Sequence, residues 1–281
     1  MKFNIENISK TFLFSVDLED VRSGVKNGEK YKDRVVENTR SYLNWLDKYN
    51  FKCTFFVTGY VAARHPELIA EIDHKGHEIA CHTHIHIPLD QYNRDEFRED
   101  LIKNITVLKK AGVKKIKGFR APTYSLIEKT KWSYDILKEL GFTYSSSVLA
   151  AKNPLYGWPE FGEKPQITDS GIIEIPITTG KLGPIKIPSV GGIYFRVIPQ
   201  FITHFMINNR KLKNYPLVGF FHPYDIDTKQ EKFMHGGIND NRFFNELMYY
   251  NRKNVLPKLD QLIQKGYQIM PYANIVDKIT L

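Results

Sequence analysis

Three of the nine histidines in this 281-residue chain fall within five positions, in the string His82-Thr83-His84-Ile85-His86-Ile87-Pro88. Imidazole is a common metal ligand, and two imidazoles with one carboxylate leave a coordination position open for water or substrate. His82 and His86 stand four residues apart, so a helical turn would bring both rings to one face, about 40° from alignment. His84 would then point away and take a supporting or surface role. Asp17-Leu18-Glu19-Asp20, at the end of a strand-like run, is the candidate source of the carboxylate. One acid there can bind a metal while a second takes a proton from an activated water. A helix N-cap is the plain structural use of the same residues.

Two more stretches carry chemistry. Gly118-Phe119-Arg120-Ala121-Pro122 sets a guanidinium just ahead of a rigid proline. There it can grip a carboxylate through paired hydrogen bonds and keep it oriented and ionised, although a surface arginine at a strand end would look the same. Val218-Gly219-Phe220-Phe221-His222-Pro223 ends a buried strand on a histidine. Such a histidine is either hydrogen-bonded in place or used for proton transfer. His65, His74, His77, His204 and His235 lack comparable neighbours.

The elements that must position these groups alternate along the chain. Strands are expected at Thr11–Asp17, Cys53–Thr58, His77–Cys81, Lys117–Arg120, Phe142–Ser147, Leu217–Phe221 and Gln268–Pro271. Helices are expected at Asp33–Tyr49, Pro66–Lys75, Arg94–Ala111, Lys129–Leu140, Pro199–Asn208 and Phe243–Lys265. This rhythm predicts an α/β fold with a parallel sheet, as a barrel or partial barrel. In such barrels the reactive groups sit at the C-terminal ends of strands, and the acidic cluster, His82–His86, Arg120 and His222 all fall at such ends. The stretch from about 150 to 199, rich in Pro and Gly, breaks the rhythm, with short strand candidates such as Ile172–Ile177. A single domain over residues 1–281 with an irregular insertion there is the simplest organisation.

With 42% hydrophobic and 25% charged residues the chain can bury a sizeable core. Cys53 and Cys81 lie in apolar runs and read as buried thiols, not a disulfide. The apolar stretch Thr11–Val16 is too short for a secretion leader or a membrane span, so a cytoplasmic protein without stable membrane insertion is expected. The net charge of +9 comes from 40 basic and 31 acidic residues. The basic residues are scattered and no nucleic-acid-binding signature accompanies them, so they read as a solvated surface. The sequence leaves the oligomeric state open.

Together these residues resemble the polysaccharide deacetylase superfamily, NodB-type and similar to carbohydrate esterase family 4, over roughly residues 11–275. Asp17–Asp20 matches its acidic motif, His82-Thr83-His84-Ile85-His86 its H-[ST]-x-x-H, and Arg120-Ala121-Pro122 its R-x-P. Gly141–Ser147 matches the strand before the fourth motif, and Phe221-His222-Pro223 the last histidine motif. The chain looks closest to a subgroup associated with surface-glycan and exopolysaccharide gene clusters. That subgroup has D-V-E-D in the first motif, ATFFV-x-G near Cys53–Gly59, RHPEL at Arg64–Leu68 and GG-x-YFR at Gly191–Arg196.

The resemblance implies a distorted (β/α) barrel with fewer than eight regular strands, against the eight of a regular barrel. It implies a divalent metal, zinc first with Co2+, Ni2+ or Mn2+ as alternatives. His82, His86 and Asp20 would hold it, with Glu19 as the alternate ligand because relatives with D-x-D place a ligand there. Asp17 would be the general base, Arg120 its partner and His222 the general acid. Ser145 stands where many relatives carry an Asp that helps to hold the arginine, a departure that bears on the support of Arg120. The implied activity is hydrolysis of the N-acetyl or other N-acyl group of an amino sugar, small or carrier-linked, in a surface-glycan pathway. Pro122, Tyr124, Trp158 and Tyr194 are candidates for holding the sugar, while core packing is the plain reading of the aromatic residues in the insertion. The same residues also suit a cyclic imide, a ureide or an N-formyl sugar. A catalytically decayed barrel that binds glycan or a partner is the non-enzymatic alternative.

Overall fold

Apolar runs rich in aromatic and β-branched residues fold as strands covered on both faces, and amphipathic helices between them stack those strands in parallel. The structure is a computed structural model that describes residues 2–3, 7–210, 212–236 and 240–280. It opens with β1 (Lys2–Phe3), β2 (Thr11–Leu18), α1 (Val35–Lys48) and β3 (Thr54–Val57). Then come α2 (Gly59–Arg64), α3 (Pro66–His74), β4 (Glu78–Cys81), α4 (Arg94–Lys110), β5 (Gly118–Phe119), α5 (Ser133–Glu139) and β6 (Tyr144–Ser145). The next stretch carries β7 (Gln166–Ile167), β8 (Ile173–Glu174), β9 (Thr179–Leu182), β10 (Ile185–Pro188) and α6 (Gly192–Val197). The last elements are α7 (Gln200–Asn208), β11 (Leu217–Phe221), α8 (Arg242–Tyr249), α9 (Val255–Gln264), β12 (Gln268–Ile269), α10 (Tyr272–Val276) and β13 (Ile279–Thr280).

The main sheet runs β11-β2-β3-β4-β5-β6-β8-β7, with β12 paired to Thr11 and Phe12 of β2. Its pairings are parallel except that of β7 with β8. Past β8 the chain keeps bridging. The Ile175, Ile177 and Thr178 amides donate to the carbonyls of Ser145, Val148 and Val218 at 2.8, 3.1 and 3.2 Å. That extended link carries the sheet from β6 round to β11 and curls it into a half-barrel. Several of the strands are two-residue stubs, so this is the distorted (β/α) barrel that the sequence suggests.

Side-chain alternation divides each strand between two cores. Phe12, Phe14, Val16 and Leu18 of β2 turn outward and pack with Tyr42, Trp45 and Leu46 of α1. Leu13, Phe56, Ala80, Tyr144, Val218 and Phe220 turn inward and fill the barrel. Each fully buried aromatic or branched side chain contributes about 1.5–3 kcal/mol over leaving it in water.

Three sequence expectations change. The helix expected over Phe243–Lys265 is two helices, α8 and α9, separated by an extended Tyr250 and a left-handed Asn251 (φ 59°). Pro257 explains the break, because a helix running on through it would lose an amide and collide with the carbonyl of Lys253. In the first turn of α9 the same proline costs nothing. The helix expected over Lys129–Leu140 splits into a short turn at Glu128–Thr130 and α5. The irregular stretch at about 150–199 also joins the scaffold, since β8 extends the sheet and the link after it closes the half-barrel.

Two buried histidines make the scaffold acid-sensitive. His77 accepts a hydrogen bond from the Cys53 amide at 3.2 Å. Burial, then the positive charge of Lys52, depresses its pKa to about 4. His235, among Tyr224, Phe233 and Tyr249, is lowered to about 4 by burial and then by Arg252 and Arg196. A histidine kept neutral by the fold binds fewer protons than its unfolded counterpart, so its contribution is present above about pH 6.5 and is lost as pH falls through 4. Urea midpoints measured between pH 6.5 and 4 should therefore fall less steeply for His77→Asn/His235→Asn than for the parent chain.

Candidate active site

The inward face of the strands gathers the reactive side chains. Alternation puts Ser15 and Asp17 of β2 on that face and carries it on to Glu19, one residue past the strand. The same parity places His82 after β4, Arg120 after β5, Ser146 after β6 and His222 after β11, each at the C-terminal edge of its strand.

Ligand atoms of Glu19, His82 and His86 all lie within 4.8 Å of one another. Glu19 Oε2 faces His86 Nε2 at 2.6 Å, and the His82 and His86 rings are 4.8 Å apart at 67°. Asp20, expected as the leading ligand, is not among these atoms. It is the N-cap of the Val21–Gly24 turn, accepting from the Arg22 amide at 3.0 Å and from the Arg22 guanidinium at 2.7 Å. Glu19, the alternate candidate, is the carboxylate grouped with the two imidazoles. Asp17 and Glu19 share a strand face and Asp20 does not, so two-residue periodicity alone could have made that choice.

The histidine string is not a helical turn. Thr83 and His86 adopt left-handed conformations (φ 60° and 56°), costing about 1–2 kcal/mol each. Two side chains one turn apart on α4 hold the loop against that cost. Asp100 accepts from the His84 amide at 2.6 Å, and Asn104 donates to the carbonyls of Val57 and Thr83. The His84 ring turns away to Gly59, where a Cβ would come within 2.0 Å of its Nδ1.

The site has the donor chemistry of a divalent-metal centre. His82 Nδ1 donates to the Arg120 carbonyl at 2.8 Å, which leaves Nε2 to face Glu19 and His86. Burial, opposed by Asp17, lowers the His82 pKa to about 4, so the ring is neutral at pH 7. Burial would raise Glu19, but the charge and hydrogen bond of His86, then His222 and His82, hold it far below the ordinary carboxylate range. His86 moves up, since Glu19 outweighs the effect of burial. Glu19 and His86 thus favour one another's charged forms, and a cation bound here would compete with the proton between them.

Asp17 and His222 flank this centre. Arg120 Nη1 donates to Asp17 Oδ1 at 2.6 Å, with both side chains buried. Its other hydrogens go to Ser15 Oγ, the Ser146 carbonyl and hydroxyl, and the Tyr272 hydroxyl at 2.7–3.1 Å. Ser145 therefore does not face the arginine. It turns to Ser147 at 2.7 Å, and its neighbour Ser146 is the residue that holds Arg120. His222 Nε2 stands 3.8 Å from Glu19 Oε1, while its Nδ1 donates to Asp225 at 2.9 Å. Burial lowers the His222 pKa, but Asp225 and then Glu19 and Asp17 outweigh it and push it up to about 9. The ring is an imidazolium at neutral pH. Asp225 was missed in the sequence, although its i,i+3 spacing after a strand-end histidine is the capping pattern that could have revealed it.

The remaining candidates divide. Pro122 and Tyr124 are buried beside Arg120, whose guanidinium lies 5.5 Å from the Tyr124 ring. The Tyr124 hydroxyl has no hydrogen-bond partner among the described residues. Tyr194 is half-buried with its hydroxyl 3.4 Å from Asn153. Trp158 is half-buried and packs on Phe161 at 5.0 Å against the apolar core under α4 and α5.

Comparisons with known proteins agree with this geometry. Residues 29–145 match the polysaccharide deacetylase family model, and residues 146–274 match the model described as a domain of unknown function, DUF3473. Peptidoglycan-N-acetylglucosamine deacetylase of Bacillus cereus is 33% identical over 99 residues, covering 35% of this chain and 36% of that protein. Chitin deacetylase 1 of Saccharomyces cerevisiae is 27% identical over 128 residues, covering 46% and 40%. The chain thus matches well under half the length of these curated relatives. Among solved structures, a Mycobacterium smegmatis protein assigned to the polysaccharide deacetylases superposes with a TM-score of 0.65 at 18% identity, over 99% of this chain and 93% of that one. A CE4 family pseudoenzyme from Bacillus anthracis does so at 0.54 and 13%, over 98% and 68%. Residues 29–145 are thus similar to the polysaccharide deacetylase family, and the chain as a whole shares the fold of these solved structures.

The exchange of Asp20 for Glu19 is open to test by calorimetric titration with Zn2+. Glu19→Gln should weaken binding at least about tenfold. Asp20→Asn should leave zinc affinity within about threefold of the parent and lower stability by about 1–3 kcal/mol, the cost of removing one of the two carboxylates paired with buried Arg22.

Proposed function

We propose that this chain is a metal-dependent N-deacetylase of an amino sugar. The observation that carries this reading is one carboxylate, Glu19, grouped with His82 and His86 and flanked by an Arg-held carboxylate and an Asp-held imidazolium. Glu19, His82 and His86 would hold the divalent ion, zinc by preference for this N2O donor set and Co2+, Ni2+ or Mn2+ as substitutes. Such an ion supplies Lewis acidity, easing deprotonation of water and polarising the acyl oxygen.

The chain's own groups then divide the proton traffic. Asp17, with Oδ1 fixed by Arg120, takes the proton of the attacking water on Oδ2. His222 gives its Nε2 proton to the amine nitrogen as the C–N bond breaks, because an amine is too basic to depart as an anion. The buried Tyr124 hydroxyl, left without a partner, is available to the bound acyl group or sugar. A small or carrier-linked N-acetylated amino sugar of a surface-glycan pathway is the substrate class we infer; the N-acetyl group is supported by two curated relatives named for deacetylation of peptidoglycan N-acetylglucosamine and of chitin. Among the described residues no helix is long and apolar enough to cross a membrane.

The experiment is acetate release from N-acetylglucosamine oligomers by zinc-loaded protein, with metal content measured in parallel. His82→Ala should lose both metal and turnover. Asp17→Asn should keep the metal and lose about 10²–10⁴-fold in kcat. Undiminished turnover and full metal content in His82→Ala would sink the proposal. Turnover of a small cyclic imide with no acetate release would move the chain to that reaction, and zinc binding with neither activity would favour a decayed barrel.

A further inference from the structure

From Ile175 to Tyr224 the chain carries six basic residues, Lys181, Lys186, Arg196, Arg210, Lys211 and Lys213, and not one Asp or Glu. The same stretch contributes five of the large apolar side chains left exposed: Leu182, Ile185, Val197, Phe201 and Phe205. The chemistry of the site uses none of these five. Phe201 and Phe205 are four residues apart on α7 and share one face of it, with 72% and 64% of their surface in water. A different face of the helix, with Thr203, Met206 and Ile207, supplies its packing against the barrel. The aromatic pair is therefore surplus to the fold.

The hairpin of β9 and β10 lies against that helix. A Cβ on Gly180 would fall 2.7 Å from the Cβ of Met206. Leu182, two residues on, and its cross-strand partner Ile185 stand on the same side of the hairpin as Gly180. They remain 42% and 59% exposed, at a tip closed by Gly183-Pro184. Lys181 and Lys186 face each other on the opposite side, a like-charge pair that by itself costs stability. Glu163 pairs with Lys186, and among the described residues no carboxylate pairs with Lys181. Lys213 is exposed in the link from α7 to β11, whose Leu212 lines a cleft together with Thr179 at the base of the hairpin. Arg196 and Arg210 are buried, so Lys181 and Lys213 carry the outward charge.

Exposed aromatic and branched side chains beside lysines, in a stretch without acids, match an anionic bilayer. The apolar groups enter the headgroup boundary while the ammonium groups meet the phosphates. A second copy of the chain fits badly, because a two-fold contact would set this acid-free stretch against itself. We propose that the hairpin tip and the outer face of α7 dock the chain reversibly on an anionic phospholipid surface. The chain lies on that surface and does not span it, as no helix among the described residues is long and apolar enough to cross. α6 joins this flank to the site, starting at Gly192, where a Cβ would sit 3.9 Å from the His222 ring, and ending at the exposed Val197. The inference stands on the surface alone and needs nothing from the deacetylase reading.

The test is co-flotation of the full chain with lipid vesicles at low salt. Vesicles of phosphatidylglycerol mixed with phosphatidylcholine should carry the protein, and phosphatidylcholine alone should bind it at least about tenfold more weakly. Raising the salt should release it. Phe201→Ser/Phe205→Ser should weaken binding to the mixed vesicles at least about tenfold, and Lys181→Glu/Lys213→Glu should do the same. All four side chains are exposed, so both variants should keep the far-UV circular dichroism and the zinc affinity of the parent. No flotation of the parent chain, equal binding to both kinds of vesicle, or binding that either pair of substitutions leaves intact would overturn the proposal. A dimer of the parent chain that Phe201→Ser/Phe205→Ser dissociates would also overturn it, giving the face to a second copy. No arm reads acetate release, so failure here leaves the deacetylase reading untouched.

Discussion

A guanidinium buried in a barrel interior is intolerable unless every one of its hydrogens is satisfied and its charge is paired. Arg120 meets that condition, and much of the site follows from how it does so. Its donors reach Ser15 and Asp17 on β2, Ser146 beyond β6 and Tyr272 on α10. Phe56 of β3 lies 3.9 Å beneath the plane, a cation–π contact in a desolvated setting. One side chain thus ties together elements from both ends of the chain. Its carbonyl does separate work, receiving Nδ1 of His82 and so presenting Nε2 to Glu19. A single residue orients the candidate base with its side chain and a candidate ligand with its backbone.

Opposite Arg120 stands a second buried pair, Arg196 with Asp225, which holds His222. The two arginines bracket the site with lines of paired charge: Arg120 with Asp17 on one side, Arg196 with Asp225 and His222 on the other. Such lines are poor stabilisers, since the desolvation of each ion consumes most of the attraction. Their effect is geometric, because groups locked by charge and hydrogen bonds do not reorganise while protons move. The left-handed residues Thr83 and His86 belong to the same trade, with local strain in the ligand loop offset by Asp100 and Asn104.

The alternation of strands and helices was legible because each strand is a contiguous apolar run and each long helix has an apolar stripe. Arg94–Ala111 was expected as a helix and Arg94–Lys110 is one, with Asn93 and Glu96 closing a capping box at its start. Leu217–Phe221 agrees residue for residue. Failures cluster where local signals were outweighed. A helical stripe runs through Phe243–Lys265, yet Pro257 and Asn251 divide it. The stretch at 150–199 looks irregular because its strands are short and its hydrogen bonds go to distant partners, Ser145, Val148 and Val218.

At the site the sequence by itself determined which residue types are present and at which strand ends: Asp17, Glu19, His82, His86, Arg120 and His222. Residue parity along each strand also settles which of them face inward, and it favours Glu19 over Asp20 and Ser146 over Ser145. Only the tertiary structure decided the partnerships. That Arg120 meets Asp17 depends on strands 103 residues apart being brought into one barrel. That Asp225 is backed by Arg196, and Arg196 by the end of α8, depends on three segments converging behind β11. Hydrogen bonds and ion pairs act over about 3 Å, and sequence spacing carries no information about contacts of that reach between remote segments until the sheet has closed.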